Sequence, residues 1–133
     1  MEIFVALLRG INVGKTKIVK MEELKNIFEA LQFKNVETYI RTGNVVFETE
    51  ELDPNLICNN IQNKLKLDLG YEVPVIIRSG RELISVVKGN PFDGVLENLH
   101  VTFLSEEPSS EAVDKLLSFK NGTDDFQILN KEV

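Results

Sequence analysis

A glycine-rich loop with cationic residues directly follows the first apolar segment of the chain. Residues 3–8 are apolar at every position and run into Arg9-Gly10-Ile11-Asn12-Val13-Gly14-Lys15-Thr16. Backbone amides of glycine loops, together with a lysine, hold phosphate groups in many α/β proteins. Three residues separate Gly10 from Gly14, one fewer than a P-loop requires. The spacing therefore argues against a P-loop nucleotidase and leaves a more general anion-binding loop.

A second polar segment, Arg41-Thr42-Gly43-Asn44, lies between two stretches that read as strands. A guanidinium group can bind a carboxylate or phosphate through two parallel hydrogen bonds. Thr and Asn side chains add further hydrogen-bonding groups. The pair Gly43-Asn44 is also typical of a tight turn, so this segment has both a structural and a ligand-binding interpretation.

Apolar periodicity predicts the elements that must position these two segments. The uniformly apolar residues 3–8 are expected to form a buried strand. Leu24, Ile27, Phe28 and Leu31 recur at helical spacing and predict a helix over residues 21–32. Alternation of apolar and polar residues from position 36 predicts a second strand. Residues 45–48 predict a third strand, and the short separation indicates a hairpin.

Capping residues and a proline predict the elements that follow. Asp53 and Pro54 are suited to begin a second helix and Gly70 to end it. Residues 73–78 are predicted to form a fourth strand that includes Pro74. Because proline donates no hydrogen bond to a β-ladder, this strand is expected at an edge of the sheet.

The order βαββαβ predicts an α+β protein whose residues 1–78 form a ferredoxin-like unit. Such a unit has a four-stranded antiparallel sheet in the order 4-1-3-2, with both helices on one face. In residues 79–133, Ser79 and Glu82 form a capping box for a short helix. A strand at 99–104, a helix from Ser109 or Ser110 and a strand from Phe126 follow. This half is expected to be a second, incomplete ferredoxin-like half packed with the first into one compact protein. A smaller complete fold with an added βαβ arm fits the same pattern.

In a 4-1-3-2 sheet, the end of the first strand, the turn before the third strand and the start of the first helix meet at one edge. Eight residues are expected to converge there and bind a small molecule that carries phosphate or carboxylate: Arg9, Gly10, Asn12, Gly14, Lys15, Arg41, Thr42 and Asn44. A purely structural explanation fits the same residues. In that case Gly43 and Asn44 make the turn, Asn12 shapes the loop, and the arginines pair with Glu37 or other surface acids.

The charge distribution restricts the classes of partner. The net charge of the 133-residue chain is −6, yet residues 1–20 carry four Lys or Arg residues against Glu2 alone. Extended nucleic acid is not expected as a partner, because it requires a broad basic surface. RNA that stacks on aromatic residues of the central strands is not expected either, since Phe4 and Phe47 lie within dense apolar runs.

The composition and the first residues predict a soluble protein of the cytoplasm. The apolar run at residues 3–8 is too short for a signal peptide or a membrane span, so no membrane association is expected. The single cysteine, Cys58, cannot form an intramolecular disulfide, which fits a reducing compartment.

The sequence contains no recognisable catalytic constellation. His100 is the only histidine, so with Cys58 it offers no His/Cys metal cluster, and no metal site is expected. Cys58 is expected to be a small core residue. The adjacent acids Glu106-Glu107 and Asp124-Asp125 are expected in solvated loops. The sequence therefore identifies neither catalytic residues nor a cofactor, and it does not decide whether the protein is an enzyme.

Several motifs together resemble the bacterial family called domain of unknown function 1697. They are Arg9-Gly10-Ile11-Asn12-Val13-Gly14, Met21 with Leu24, Thr38-Tyr39-Ile40, Gly43-Asn44-Val45-Val46-Phe47 and Asn90-Pro91-Phe92. The resemblance covers most of the chain in register. It implies two ferredoxin-like halves in one compact α+β protein, and it implies no established activity, substrate or cofactor.

The chain departs from this family at the candidate site. Family members often have glycine at the position of Lys15, proline at that of Lys20, and glutamine-serine at Arg41-Thr42. These departures imply a stiffer loop and a more anionic ligand. Members also continue through a basic segment with an Arg-Asn-Trp-like motif, and the resemblance implies that this chain lacks that segment.

Two functions from different classes follow from the sequence. The first is binding of a small anionic metabolite at the edge that holds Arg9 and Arg41, by an enzyme or a sensor. The second is a non-catalytic interaction module that uses the edges or the open face of the sheet, with another protein or a second copy of the chain as its partner.

Overall fold

The computed structural model describes residues 1–12, 18–39, 43–89, 101–118, 128 and 131–133. The chain divides into two compact units, Met1–Ser85 and Val86–Val133. The domain boundary expected after Arg78 stays a prediction. Within the described residues, no helix is long and apolar enough to cross a membrane.

A four-stranded antiparallel sheet forms the framework of the first unit. Its strands are β1 (Glu2–Leu8), β2 (Lys34–Tyr39), β3 (Asn44–Thr49) and β4 (Val75–Ser79). The spatial order is β2-β3-β1-β4, with every neighbouring pair antiparallel. This is the predicted order, with β1 inside the sheet and β4 at an edge. Together with the helices below, it confirms the predicted α+β class.

Four helices lie within the described residues, and their ends follow the capping chemistry of the sequence. They are α1 (Met21–Ala30), α2 (Pro54–Leu69), α3 (Gly80–Lys88) and α4 (Ser110–Leu117). The Asp53 side chain accepts a hydrogen bond from the backbone N–H of Asn55 at the start of α2, and Gly70 ends that helix in the left-handed conformation. Ser79 and Glu82 accept hydrogen bonds from each other's backbone N–H groups, which confirms the predicted capping box. The Ser109 side chain caps α4 by accepting a hydrogen bond from the backbone N–H of Ala112.

The core lies between one face of the sheet, called here the inner face, and helices α1 and α2. Alternate residues of β1 and β3 point into it, among them Phe4 and Phe47. The ring of Phe47 is 4.4 Å from that of Phe33, 5.6 Å from that of Phe28 and 6.1 Å from that of Phe4, measured between centroids. Because Phe4 and Phe47 are buried, they offer no surface on which an RNA base could stack.

The opposite, outer face of the sheet is only partly covered. Val5 and Leu7 of β1 and Asn44, Val46 and Glu48 of β3 have intermediate exposure on this face, and Ile3 of β1 is exposed. Arg78 of β4 is an exception, because it lies opposite Val5 on this face yet is 2% exposed. Its guanidinium Nη1 donates to the carbonyl oxygen of Ile77.

Two strands begin two residues away from their predicted starts. β4 begins at Val75 rather than at residue 73, so Pro74 precedes the strand, where its missing N–H leaves no gap in the ladder. β2 begins two residues earlier than predicted, at Lys34, and the pairing with β3 shifts register between Lys34 and Glu37. Asn35 accommodates this irregularity with φ of 50° and donates to the Glu48 carboxylate at 2.5 Å.

The C-terminal residues pair with the segment around Phe103. Phe103 and Glu132 form an isolated antiparallel bridge, and Thr102 and Val133 exchange two backbone hydrogen bonds. The predicted strand 99–104 is thus seen only in part, because His100 and its neighbours lie outside the described residues. Most of the strand predicted from Phe126 and the pair Asp124-Asp125 also lie outside them.

Phe47→Ala is expected to lower the free energy of unfolding by about 3–5 kcal/mol, because it removes a ring that three other rings contact and leaves a cavity. Urea denaturation followed by circular dichroism measures this loss. Leu67→Ala is the matched control, since Leu67 is 81% exposed and its truncation should change stability by less than about 0.5 kcal/mol. Equal effects of the two substitutions would contradict this assignment of the core.

Candidate functional site

The loop after β1 is fixed between the starts of β3 and β4. The backbone N–H of Leu8 donates to the carbonyl of Gly43, and that of Arg9 donates to the carbonyl of Pro74, both at 3.0 Å. These bonds continue the β1–β3 and β1–β4 registers beyond Leu7 and Leu8. β1 therefore delivers Arg9 to the sheet edge in extended backbone.

Side-chain packing joins the same loop to the turn before β3. Ile11 is 3% exposed, and its Cδ1 lies only 2.8 Å from where a Cβ on Gly43 would be. Gly43 has φ of 93°, a conformation that residues with a side chain rarely adopt. Glycine at position 43 thus permits both the positive φ of the turn and the close approach of Ile11.

Asn12 closes the loop that follows. Its φ is 54°, and its side-chain Oδ1 accepts a hydrogen bond from the backbone N–H of Val19 at 2.8 Å. Ile11 and Val19, which flank the closed segment, are both buried. Asn12 thus acts within the structure as a loop-shaping residue, which is the structural explanation that the sequence offered for it.

Arg9 presents its charge at this edge. Its side chain is exposed, and within the part of the chain that the structure describes it forms no ion pair. Since Arg9 continues the ladder and Leu8 points into the core, Arg9 projects from the outer face. Asn44 lies on that face as well, because it pairs with Leu7 in the β1–β3 register.

Four of the predicted site residues lie outside the described residues: Gly14, Lys15, Arg41 and Thr42. The structure describes the other four predicted site residues, which are Arg9, Gly10, Asn12 and Asn44. The structure brings the segments of these four to one edge of the sheet through the contacts of Leu8, Ile11 and Gly43.

Tyr39 is a neighbour of the site that the sequence analysis named only within a family motif and not as a site residue. It is the last residue of β2, is 68% exposed and pairs with Asn44. Tyr39, Asn44 and Leu7 therefore form one row across the outer face. The alternation of side chains along β2 could have identified it, because it places Tyr39 on the same face as Glu37 and opposite to buried Val36.

Among the described residues, two groups have a shifted pKa, and neither shift favours reactivity. Burial raises the pKa of the Cys58 thiol, whose Sγ lies 3.2 Å from the Val75 carbonyl oxygen. Cys58 packs against the core, as expected, and a raised thiol pKa makes it a poor nucleophile at neutral pH. Burial, together with the charge of Glu23, also raises the pKa of Tyr71.

The described residues include a cavity in the first unit and a pair of acidic residues in the second. An open cavity of about 710 Å³ is lined by residues from the opposite end of the sheet, including Met1, Gln32 and Glu50. Glu106 and Glu107 are exposed, as expected. Among the described residues no group of three or more His, Cys, Asp or Glu side chains could hold a metal ion.

Comparisons with known proteins relate the chain to one family and one fold. The model of a family described as "Protein of unknown function (DUF1697)" matches residues 1–133. The solved structure of the conserved bacterial protein SP0830 from Streptococcus pneumoniae is similar, with a TM-score of 0.70 and 22% sequence identity. The similarity covers 91% of this chain and 67% of that one, and at this identity it concerns the fold alone. No curated protein matches the chain significantly.

Gly43→Ala is expected to destabilise the protein more than Gly10→Ala. Both glycines have positive φ, so each alanine should cost about 1–2 kcal/mol of backbone strain. A Cβ at position 10 meets nothing within 4 Å, whereas one at position 43 collides with Ile11, which should add about 1–3 kcal/mol. Denaturant unfolding of both variants measures the difference, and equal losses would show that the loop and the turn are not packed together.

Proposed function

We propose that this chain, which belongs to the DUF1697 family of proteins of unknown function, binds a small molecule bearing phosphate or carboxylate beside Arg9. Arg9 carries the proposal. It is an exposed arginine with no ion-pair partner among the described residues, and its backbone is held by the hydrogen bond to Pro74. Because the backbone of Arg9 is already held, binding an anion needs to order only its side chain.

The surrounding residues support an anion rather than a cation as the ligand. Arg41 and Thr42 immediately precede Gly43, and Lys15 belongs to the loop that Asn12 closes. We assign these three residues to the same site, together with Gly10, Gly14 and Asn44. Asn12 enters this proposal as the residue that positions the loop, because its Oδ1 is bonded to Val19.

The proposal includes the finer fold and the location of the protein. We infer a ferredoxin-like first unit, supported by the strand order β2-β3-β1-β4 and by helices α1 and α2 on one face. A second half of the same kind would begin within residues 79–133. A reducing cytoplasm, consistent with the single Cys58, is the proposed location.

Arg9→Gln is expected to weaken binding of a small anion at least about tenfold, because it removes a charge-assisted hydrogen-bond donor. The probes are inorganic phosphate, glucose 6-phosphate and citrate, screened by thermal shift and followed by titration calorimetry. Arg41→Gln is expected to act in the same direction.

Arg81→Gln is the matched control for this experiment. Arg81 is also highly exposed, but it lies at the other end of β4, where it pairs with Glu2 at 3.6 Å. Removing its charge should leave the affinity for each probe within about twofold of the wild type. The proposal is wrong if no probe stabilises the protein, or if the Arg81 variant loses as much affinity as the Arg9 variant.

A second candidate function is protein interaction through an edge of the sheet. The observation in its favour is that, among the described residues, β2 pairs on one side only. The register shift near Asn35 and the exposed charges of Lys34 and Glu37 weaken it, because bulges and charges protect edge strands from pairing. Sedimentation equilibrium at high protein concentration tests self-association. A dimer would support this function, and a strict monomer would count against a second copy as the partner.

A further inference from the structure

The outer face next to the proposed anion site presents an aromatic ring. Tyr39 is one of the most exposed large apolar side chains of the described residues, at 68%. Its neighbours along the same row, Asn44 and Leu7, have intermediate exposure. Asn44 therefore lies between the ring and β1, with a side chain that can both donate and accept hydrogen bonds.

Arg9 and Tyr39 lie on the same face at a separation that one small molecule can span. Tyr39 and Leu7 are two strands apart, which corresponds to about 10 Å. Arg9 lies two residues beyond Leu7, about 7 Å further along β1. The two backbone positions are therefore about 12 Å apart, and both side chains are long enough to reach toward the space between them.

The charges on this face favour one orientation of a bound ligand. Arg9 supplies positive charge at the sheet edge, whereas Glu37, two residues before Tyr39 on the same strand, is exposed and negative. A ligand with several anionic groups along its length would meet Glu37 as it extended past Tyr39. A ligand with its anion at one end and an uncharged ring at the other avoids that repulsion.

We infer that the ligand of this site is a small anion that carries a planar aromatic ring, with the anionic group on Arg9 and the ring stacked on Tyr39. This inference rests on the proposed function and names its ligand class. Stacking on an aromatic side chain adds affinity for any flat ring, and the Asn44 amide is placed to hydrogen bond with polar atoms between the ring and the anion.

Phenyl phosphate and methyl phosphate are the probes that test this inference, because they share an anionic group and differ in the ring. Titration calorimetry is expected to show phenyl phosphate binding the wild-type protein about tenfold more tightly. Tyr39→Leu should remove this preference, leaving the two affinities within about twofold, while the affinity for methyl phosphate is unchanged. Tyr39→Phe should retain the preference because it keeps the ring.

The variants separate failure of this inference from failure of the proposed function. Equal binding of both probes to the wild type, or an unchanged preference in Tyr39→Leu, overturns the aromatic ligand class. If Arg9→Gln still weakens the binding of both probes in that case, the proposed anion site is supported without a preference for an aromatic ligand. If neither probe binds, the proposed function and the inference both fail. Circular dichroism melting of each variant, compared with Leu67→Ala as a surface control, confirms that the fold is intact.

Discussion

Hydrogen bonding along both edges of β1 is the constraint on which the candidate site depends. β1 pairs with β3 on one side and with β4 on the other, so neither edge is available to solvent or to another strand. The pairing extends past the end of the strand through the Leu8 and Arg9 amides. The first residue of the loop is consequently held as firmly as the strand itself, which places a flexible arginine side chain on a fixed backbone.

A steric constraint at Gly43 adds to this hydrogen bonding. The Ile11 side chain occupies the space that any Cβ at position 43 would need, and Ile11 and Val19 belong to the same core as the inner face of the sheet. The loop is therefore anchored in the core at both of its described ends. The hydrophobic effect that stabilises the fold also sets the position of the loop, so the core and the candidate site cannot vary independently.

The parts of this structure that local chemistry determines were predictable from the sequence. Asp53, Pro54 and Gly70 mark the ends of α2 through capping. The edge position of β4 was predicted too, but Pro74 precedes the strand, so its missing N–H is not the reason for that position. The irregularity at Asn35 was not predictable, since it depends on Glu48 of the neighbouring strand. Likewise, the amide of Asn12 gives no indication that its partner is Val19. The burial of Arg78 is a third such case, because the sequence pattern of a strand does not show how its second face is covered.

The acidic composition of the chain is compatible with an anion site, because the net negative charge and a direct contact with Arg9 act over different distances. The negative charge that gives the net value of −6 lies outside residues 1–20, and at physiological ionic strength charges further apart than about 8 Å are largely screened. An anion in contact with Arg9 is within about 4 Å of its charge, where screening is weak. The local cation therefore dominates once the ligand is bound. The exposed Glu37 lies on the same face, beyond Tyr39, so it would act on the orientation of the proposed ligand more than on its capture.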